Sequence, residues 1–340
     1  MPIAFLDRLE AGRVLTSAEA ETVMEELLSG RVATPEIVRL LTALNRRPMR
    51  VVELAGFARV MRRHATRVFE DGETRPPNMV DTCGTGGDGS NTFNISTAAA
   101  IVAAAAGARV AKHGNRAASS RSGSADVLEE LGVRIDLPFE RYGRAIKEIG
   151  IGFLFAQAAH TAARHAAPAR RQIGVRTVFN LLGPLTNPAG AQSQVLGVFS
   201  PNVIDLVAAT LAELGVERGL VVHGAGGLDE ISLGETLVAE IRNGTIRRFT
   251  VTPEEFGVER APLEPLRGGT AKENAALIRR IFEGETGPRR DIVVINAAAA
   301  LVVAGTASDF REAAEVAASA ISSGAAGAKL TSLADFTSSN

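Results

Sequence analysis

Short apolar segments alternate with stretches of helical periodicity from Asn78 onwards, and this alternation limits the fold more than any other feature. Helices fill most of the intervals between the apolar segments, and strands connected through helices pair in parallel. A separate Asn243-Gly244 pair between two further apolar segments is a strong hairpin signal. The sequence therefore predicts a large α/β domain with a mostly parallel central sheet flanked by helices, and one antiparallel hairpin. We place the strands of the main sheet at residues 79–82, 109–112, 152–155, 194–199, 219–223 and 291–295.

The N-terminal part of the chain contains helical periodicity only. Thr16 and Glu19 have the spacing of a capping box ahead of one apolar stripe, Thr34 and a following proline precede a second stripe, and a third stripe follows. Two consecutive prolines then interrupt the pattern. We predict a small N-terminal helical bundle domain over residues 1–75 and an α/β domain over residues 76–340.

The composition excludes several classes of protein. Lys and Arg number 37 against 38 Asp and Glu, giving a net charge of −1, and the chain has 14 Phe, one Tyr and no Trp. Nucleic-acid binding needs basic surfaces and, for single strands, stacking rings. The single Cys83 cannot form an internal disulfide, no secretory signal is visible, and the Ala-rich segments 98–106 and 297–304 are shorter than the roughly 20 residues of a membrane helix. We expect a cytoplasmic protein without nucleic-acid or membrane partners.

A glycine-rich loop follows the first predicted strand. Its glycines lie between Asp81 and Ser96, near the start of a predicted helix. Glycines let backbone N–H groups approach phosphate oxygens, and the helix N-terminus favours negative charge. The pattern indicates an anion site, although an ordinary strand–helix turn capped by Asn94 or Ser96 remains an alternative.

Polar loops also follow the second and fifth predicted strands. The first of these carries Lys112, Arg116 and several serines, and the second carries the adjacent carboxylates Asp229 and Glu230. Carboxylates and substrate phosphate oxygens are ligands that Mg²⁺ accepts, and a hydroxyl such as that of Ser96 could join them. Each loop alone could be a solvated surface turn, with Ser124 merely capping a helix in the first. Three such loops at the ligand-binding edge of a parallel sheet predict a site for a phosphorylated ligand and a metal.

Several of these motifs resemble the anthranilate phosphoribosyltransferase family, within the broader group that includes type II nucleoside phosphorylases. The resemblance covers nearly the whole chain in the family's order. It rests on residues 84–88, 94–97, 112–116, 123–126, 153–156, 176–188, 227–230, 273–275 and 296–301. It implies a helical domain beside an α/β domain with the active site between them, a returning helical segment near residues 161–185, and a homodimer formed through the helical domain.

The resemblance also implies a reaction and a set of site residues. Phosphoribosyl pyrophosphate would give its phosphoribosyl group to the amino nitrogen of anthranilate in tryptophan biosynthesis, with two magnesium ions and release of pyrophosphate. Lys112 and His113 would be the catalytic residues. Ser96, Asp229 and Glu230 would hold magnesium, and Gly84, Asn115 and Arg170 would contact anthranilate. Phosphoribosyl pyrophosphate would be held by Gly84, Gly87, Asp88, Thr92, Asn94, Ile95, Ser96, Thr97, Lys112, His113, Gly114, Asn115, Arg116, Ala117, Ala118, Ser119, Ser120 and Ser124.

Some positions depart from the family pattern or admit a second interpretation. The resemblance leads us to expect proline where Gln157 and Thr161 stand, and commonly valine at Ala169. Arg170 lies in a basic stretch that could be only a helix end, and His113 could shape its loop instead of carrying a proton.

Two other functions are compatible with the same architecture. A pyrimidine nucleoside phosphorylase would share the sheet and the phosphate loop, but the intact 112–116 motif and the Asp229-Glu230 pair argue against it. A non-catalytic nucleic-acid-binding relative should be basic, and this chain is not.

Overall fold

The computed structural model describes residues 3–70, 72–117 and 121–339. The strands are β1 (Met79–Gly84), β2 (Arg109–Gly114), β3 (Ile151–Phe155), β4 (Ser193–Gly197), β5 (Arg218–Gly224), β6 (Thr236–Arg242) and β7 (Thr245–Val251). The helices are α1 (Leu6–Glu10), α2 (Ser17–Leu28), α3 (Thr34–Asn45), α4 (Val51–Arg63), α5 (Ile95–Ala105), α6 (Ser124–Glu130), α7 (Phe139–Glu148), α8 (Ala156–Ala159), α9 (Ala167–Ile173), α10 (Phe179–Leu182), α11 (Ile204–Glu213), α12 (Ala271–Phe282), α13 (Pro288–Ala304), α14 (Phe310–Ser322) and α15 (Ala325–Ser338).

The strands form one sheet in the order β3-β2-β1-β4-β5-β6-β7. The five neighbouring strands β3, β2, β1, β4 and β5 pair in parallel. Strand β6 pairs antiparallel with β5, and β7 pairs antiparallel with β6. The β6–β7 turn is made by Asn243 (φ 48°) and Gly244 (φ 80°), the left-handed pair that a two-residue hairpin of type I′ requires. The prediction of a mostly parallel sheet flanked by helices is confirmed, and the structure also contains the predicted hairpin.

The strand predicted at residues 291–295 is wrong, because this segment lies inside helix α13. Pro288 occupies the first turn, where its missing N–H costs nothing, and the helix continues through the Ala-rich run to Gly305 (φ 72°). Nearly all of α13 is buried, so its apolar residues show no one-sided helical period. A short β-branched apolar run of this kind cannot be distinguished from a buried strand by periodicity.

The N-terminal helices pack against each other and against the sheet. The side chain of Thr16 accepts a hydrogen bond from the backbone of Glu19, and the Glu19 carboxylate accepts one from the Thr16 backbone, completing the predicted capping box of α2. Helix α1 was not predicted. The apolar faces of α2, α3 and α4 share one buried core with α9, α11 and the neighbouring face of β4 and β5. The bundle is therefore anchored to the larger part of the molecule, as its single apolar stripes require.

The opposite face of the sheet is covered by α5 and α13, with α12, α14 and α15 outside them. Both Ala-rich segments lie here within α5 and α13, and their small side chains are almost completely buried. None of the helices in the described part of the chain has the length and continuous apolarity that crossing a bilayer requires.

Candidate active site

The three polar loops meet at one edge of the sheet. Strands β1, β2, β4 and β5 all end in glycine at this edge, and the parallel register pairs Gly84 with Gly197. The β1–α5 loop, the β2–α6 loop and the β5–β6 loop leave from these ends. The carboxyl ends of parallel strands are where open α/β sheets bind ligands.

The β1–α5 loop approaches the β5–β6 loop closely. The backbone N–H of Gly86 donates to Oδ2 of Asp229 at 2.8 Å. A Cβ atom placed on Gly84 would lie 2.4 Å from the same oxygen, so a side chain at Gly84 would displace the carboxylate. Gly87 adopts a φ of 70°, a backbone conformation that residues with a side chain rarely adopt. The carbonyl of Gly87 accepts a hydrogen bond from the guanidinium of Arg176.

Asn94 connects two of the loops. It stands at the N-cap position of α5, but its side chain does not cap the helix. Its Oδ1 accepts hydrogen bonds from Nδ2 of Asn274 at 2.9 Å and from the hydroxyl of Ser122 at 3.1 Å. Because the amide of Asn94 is used in this way, the first backbone N–H groups of α5 are not covered by a side-chain cap.

Other predicted ligands around α5 take different positions. Ile95 is buried and would offer only its backbone, while Thr92 forms a β-bridge with Arg267 beside the loop. The hydroxyl of Thr97 is buried, and none of the described residues forms a hydrogen bond with it. Ser96 Oγ accepts a hydrogen bond from Lys112 at 3.4 Å, which brings the helix start together with β2.

An acidic cluster lies between the loops. One carboxylate oxygen each from Asp88, Asp229 and Glu230 lies within 4.8 Å of the others. Burial, with the nearby Asp88 charge, raises the pKa of Asp229 to about 6, and burial with the Asp229 charge raises the pKa of Glu230 well above its usual range. Oδ2 of Asp88 and Oε2 of Glu230 are buried and accept no hydrogen bond from the described part of the chain.

Unsatisfied buried carboxylate oxygens that converge fit a divalent cation, since a hard cation would relieve both their repulsion and their desolvation. The residues present therefore suit Mg²⁺. The structure places Asp88 with two of the three predicted metal ligands, Asp229 and Glu230, whereas the resemblance assigned Asp88 only to phosphoribosyl pyrophosphate.

Lys112 is the buried cation of the site. Its side chain is almost fully enclosed, and Nζ donates to the carbonyl of Thr82 and to Ser96 Oγ. Burial lowers the pKa of Lys112, an effect that Asp81 partly offsets. Among the described residues, no carboxylate forms an ion pair with Nζ. The ammonium group is therefore held by neutral acceptors and remains available to an anionic ligand.

His113 is enclosed beside a second histidine. Its backbone N–H donates to Oδ1 of the fully buried Asp81 at 3.0 Å, and its ring meets that of His160 edge-on with centroids 5.2 Å apart. Burial lowers the pKa of His113 well below its usual range, and burial lowers the pKa of His160 to about 4. Both rings are therefore neutral near pH 7, and Nε2 of His113 has no hydrogen-bond partner within residues 3–70, 72–117 and 121–339. The ring forms part of the wall and offers at most a weak base.

The β2–α6 loop uses many of its own polar groups internally. Ser124 is not a helix cap; its hydroxyl accepts from the Asn115 N–H at 3.1 Å, and Gly123 takes the N-cap position. The guanidinium of Arg116 pairs with Asp126 and Glu129, and the Ala117 N–H also donates to Asp126.

The β2–α6 loop is also tightly packed where it leaves β2. A Cβ on Gly114 would lie 2.2 Å from Ser124 Oγ, so only glycine fits at the end of β2. Three of the predicted phosphoribosyl pyrophosphate ligands, Ala118, Ser119 and Ser120, lie outside the described residues.

Arg170 projects from α9, a helix with Pro168 in its first turn. Its guanidinium lies 5.3 Å from the centroid of the Phe179 ring, and partial burial lowers its pKa. Within the described chain the guanidinium forms no ion pair or hydrogen bond. An arginine fork that is oriented by an aromatic ring and lacks a partner suits a carboxylate ligand.

Three residues that support the site were not predicted. Asp81 accepts a hydrogen bond from the backbone of His113, and Asn274 of α12 donates one to the side chain of Asn94. Arg176 donates one to the carbonyl of Gly87, and its guanidinium lies 4.3 Å from the centroid of the Phe199 ring. Asn274 and Arg176 lie in stretches that carry the resemblance. No sequence signal shows that they reach back to the β1–α5 loop.

Comparison with known proteins identifies the class to which this fold and site belong. The family model described as the Glycosyl transferase family, a/b domain, matches residues 76–327, and the model described as the helical bundle domain of the same family matches residues 3–65. A helical bundle beside a mostly parallel sheet, with polar loops at the strand ends, is thus the architecture of a glycosyl transferase.

Individual relatives narrow this class. The anthranilate phosphoribosyltransferase of Pelotomaculum thermopropionicum is 54% identical over 98% of this chain and 95% of its own. The crystal structure of the enzyme from Thermus thermophilus superposes with a TM-score of 0.93 at 49% identity, covering 98% of this chain and 99% of that one. The Saccharomyces cerevisiae enzyme in complex with phosphoribosyl pyrophosphate and magnesium has a TM-score of 0.89 at 28% identity, covering 99% and 98%. The chain belongs to the anthranilate phosphoribosyltransferase family.

Proposed function

We propose that the loops at the sheet edge carry out the reaction of this family. The chain transfers the phosphoribosyl group of phosphoribosyl pyrophosphate to the amino nitrogen of anthranilate, giving N-(5-phosphoribosyl)anthranilate and pyrophosphate in tryptophan biosynthesis. The observation that carries the assignment of roles is the convergence of a buried lysine, a glycine-rich loop and three carboxylates on one edge of the sheet.

Each loop has a distinct part in binding phosphoribosyl pyrophosphate. The backbone of the β1–α5 loop and the N-terminus of α5 receive phosphate oxygens, and Lys112 offers its buried positive charge to the pyrophosphate. Asp229 and Glu230, with Asp88 beside them and the Ser96 hydroxyl as the third ligand that the resemblance implies, would hold magnesium. Magnesium, when bound, neutralises charge on the pyrophosphate leaving group.

The acceptor side needs little proton transfer. The amino nitrogen of anthranilate is an aniline and is already neutral near pH 7, so its lone pair can attack C1 of the ribose directly. The C–N bond forms as the C–O bond to pyrophosphate breaks, and the nitrogen then loses one proton. The resemblance assigns a catalytic role to His113, and its lowered pKa makes it a weak acceptor for that proton.

The assignment predicts a simple assay result. Purified protein with magnesium, phosphoribosyl pyrophosphate and anthranilate should consume anthranilate fluorescence, and omission of either magnesium or phosphoribosyl pyrophosphate should stop the consumption. Persistent anthranilate together with phosphorolysis of uridine or thymidine would instead identify a nucleoside phosphorylase.

Arg170 should act on the acceptor only. Arg170→Ala is expected to raise the KM for anthranilate about 10- to 100-fold, the effect of losing a charge-assisted hydrogen bond. The KM for phosphoribosyl pyrophosphate should change by less than about threefold. The matched control is Arg171→Ala, which removes an adjacent exposed guanidinium. A larger effect on phosphoribosyl pyrophosphate than on anthranilate would remove Arg170 from the acceptor site.

Three further properties of the family complete the proposal. Two magnesium ions serve the reaction, two chains pair through the helical bundle, and the enzyme works in the cytoplasm. The three clustered carboxylates could hold a metal ion. Titration of the protein with Mn²⁺ by electron paramagnetic resonance would count the ions, light scattering would give the mass of the assembly, and cell fractionation would locate the enzyme.

A further inference from the structure

The ends of β2 and β3 place two amide side chains next to each other. Gly114 pairs with Phe155 in the parallel register, so the residues that follow these two positions leave the sheet side by side. Asn115 follows on one strand, and Gln157 lies in the first turn of α8 on the other. Nε2 of Gln157 donates a hydrogen bond to Oδ1 of Asn115 at 3.1 Å.

The amide of Asn115 is oriented by two donors on its oxygen. The second donor is the backbone N–H of Arg116, which lies 2.8 Å from the same Oδ1 atom. The Asn115 backbone is fixed as well, because its N–H donates to Ser124 Oγ at 3.1 Å and its carbonyl accepts from the Ala125 N–H at 3.1 Å. In the part of the chain that the structure describes, Nδ2 of Asn115 has no acceptor.

The two ends of an asparagine amide have nearly the same shape but opposite hydrogen-bonding character. Donors on Oδ1 therefore decide which end of the amide remains free to contact a ligand. Because Gln157 and Arg116 occupy its oxygen, Asn115 presents its Nδ2 N–H groups. These groups can donate hydrogen bonds to a carboxylate such as that of anthranilate.

We propose that Gln157 is a positioning residue for the acceptor: it fixes the amide of Asn115 so that Nδ2 faces the carboxylate of anthranilate. This inference rests on the proposed function, because it takes Asn115 to contact the acceptor. Gln157 is also one of the positions that depart from the family pattern, where proline was expected. A proline side chain has no N–H to donate, so proline at this position could not orient Asn115 in this way.

Variants at residue 157 separate orientation from mere contact. Gln157→Leu removes the donor, and the KM for anthranilate should rise about 3- to 10-fold, as for one neutral hydrogen bond. Gln157→Glu replaces the donor by an acceptor that faces Oδ1 and favours the flipped amide, so its effect should exceed that of Gln157→Leu. The KM for phosphoribosyl pyrophosphate should stay within about twofold in both variants. Gln172→Leu, which changes an exposed glutamine of α9, is the matched control.

A double-mutant cycle tests whether Gln157 acts through Asn115. In an Asn115→Ala background, Gln157→Leu should have no further effect on the KM for anthranilate, since no amide remains to be oriented. Additive effects of the two substitutions, or equal increases in the KM values of both substrates, would overturn the inference.

Direct binding keeps this test separate from the test of the reaction. The same cycle is measured as the Kd of anthranilate by calorimetry, which requires no turnover. Anthranilate that binds with the expected non-additivity but is not consumed would contradict the proposed reaction and support the role of Gln157. Turnover with an additive cycle would contradict only the role of Gln157, and a wild-type protein that neither binds nor consumes anthranilate would contradict both.

Discussion

Asp229→Asn and Glu230→Gln should each lose most magnesium-dependent turnover while making the metal-free protein more stable. In the absence of metal, Asp88, Asp229 and Glu230 bring their carboxylates together, and burial raises the pKa of Asp229 to about 6. A carboxyl group whose folded pKa is raised favours folding while it is protonated and loses that contribution as the pH rises through the folded pKa. Above pH 6 the ionised Asp229 therefore costs stability, and an amide removes that cost.

Two measurements check this prediction. The kcat/KM for phosphoribosyl pyrophosphate at saturating anthranilate should fall about 100-fold or more, since a bound metal contributes several kcal/mol to charge stabilisation. The free energy of unfolding without magnesium should rise by about 1 to 2 kcal/mol, and the gain from added magnesium should shrink. Glu235→Gln is the control, because Glu235 is an exposed carboxylate near the end of the same loop. Unchanged magnesium dependence in both variants would place the metal elsewhere.

Lys112→Met should nearly abolish turnover with a much smaller effect on folding. The lysine side chain is buried and is held by Thr82 and Ser96, so methionine can fill most of its volume without the charge. Removal of the ammonium leaves the departing pyrophosphate without its buried cation, and we expect kcat to fall about 100- to 1,000-fold.

The stability of the Lys112→Met variant must be measured as a control. Burial already lowers the pKa of Lys112, so the native state gains little from keeping the charge there, although Asp81 then loses a neighbouring cation. We expect the free energy of unfolding to change by less than about 2 kcal/mol. Lys272→Met, at an exposed lysine of α12, should leave kcat unchanged. Retained kcat in Lys112→Met, with a large loss of stability, would make Lys112 a structural residue.

The sequence predicted elements well where a local rule has a physical cause. The capping box at Thr16 and the hairpin at Asn243 each depend on a few neighbouring residues, and the structure contains both of them. The failure at residues 291–295 has the opposite origin. Helix α13 is buried all round, so its surroundings and not its own pattern determine its form.

The site shows the same division. Loops that directly follow strands could be placed at one edge because parallel topology requires it. The contacts across the site could not be predicted, because they join residues that are distant in the chain. Arg176 contacts Gly87, and Gln157 contacts Asn115. The addition of Asp88 to the acidic cluster likewise depends on how the β1–α5 loop folds back, which no spacing encodes.

The bond between Asn94 and Asn274 also bears on when this enzyme becomes competent during its synthesis. The two residues are separated by 180 positions, and Asp229 and Glu230 lie between them in the chain. At a translation rate of about 5 to 20 residues per second, the ribosome needs roughly 10 to 35 s to make that interval. A nascent chain can complete its early helices and β1 long before the residues that close the loop exist. Substrate recognition that depends on this contact therefore begins only after residue 274 has been made and has left the exit tunnel.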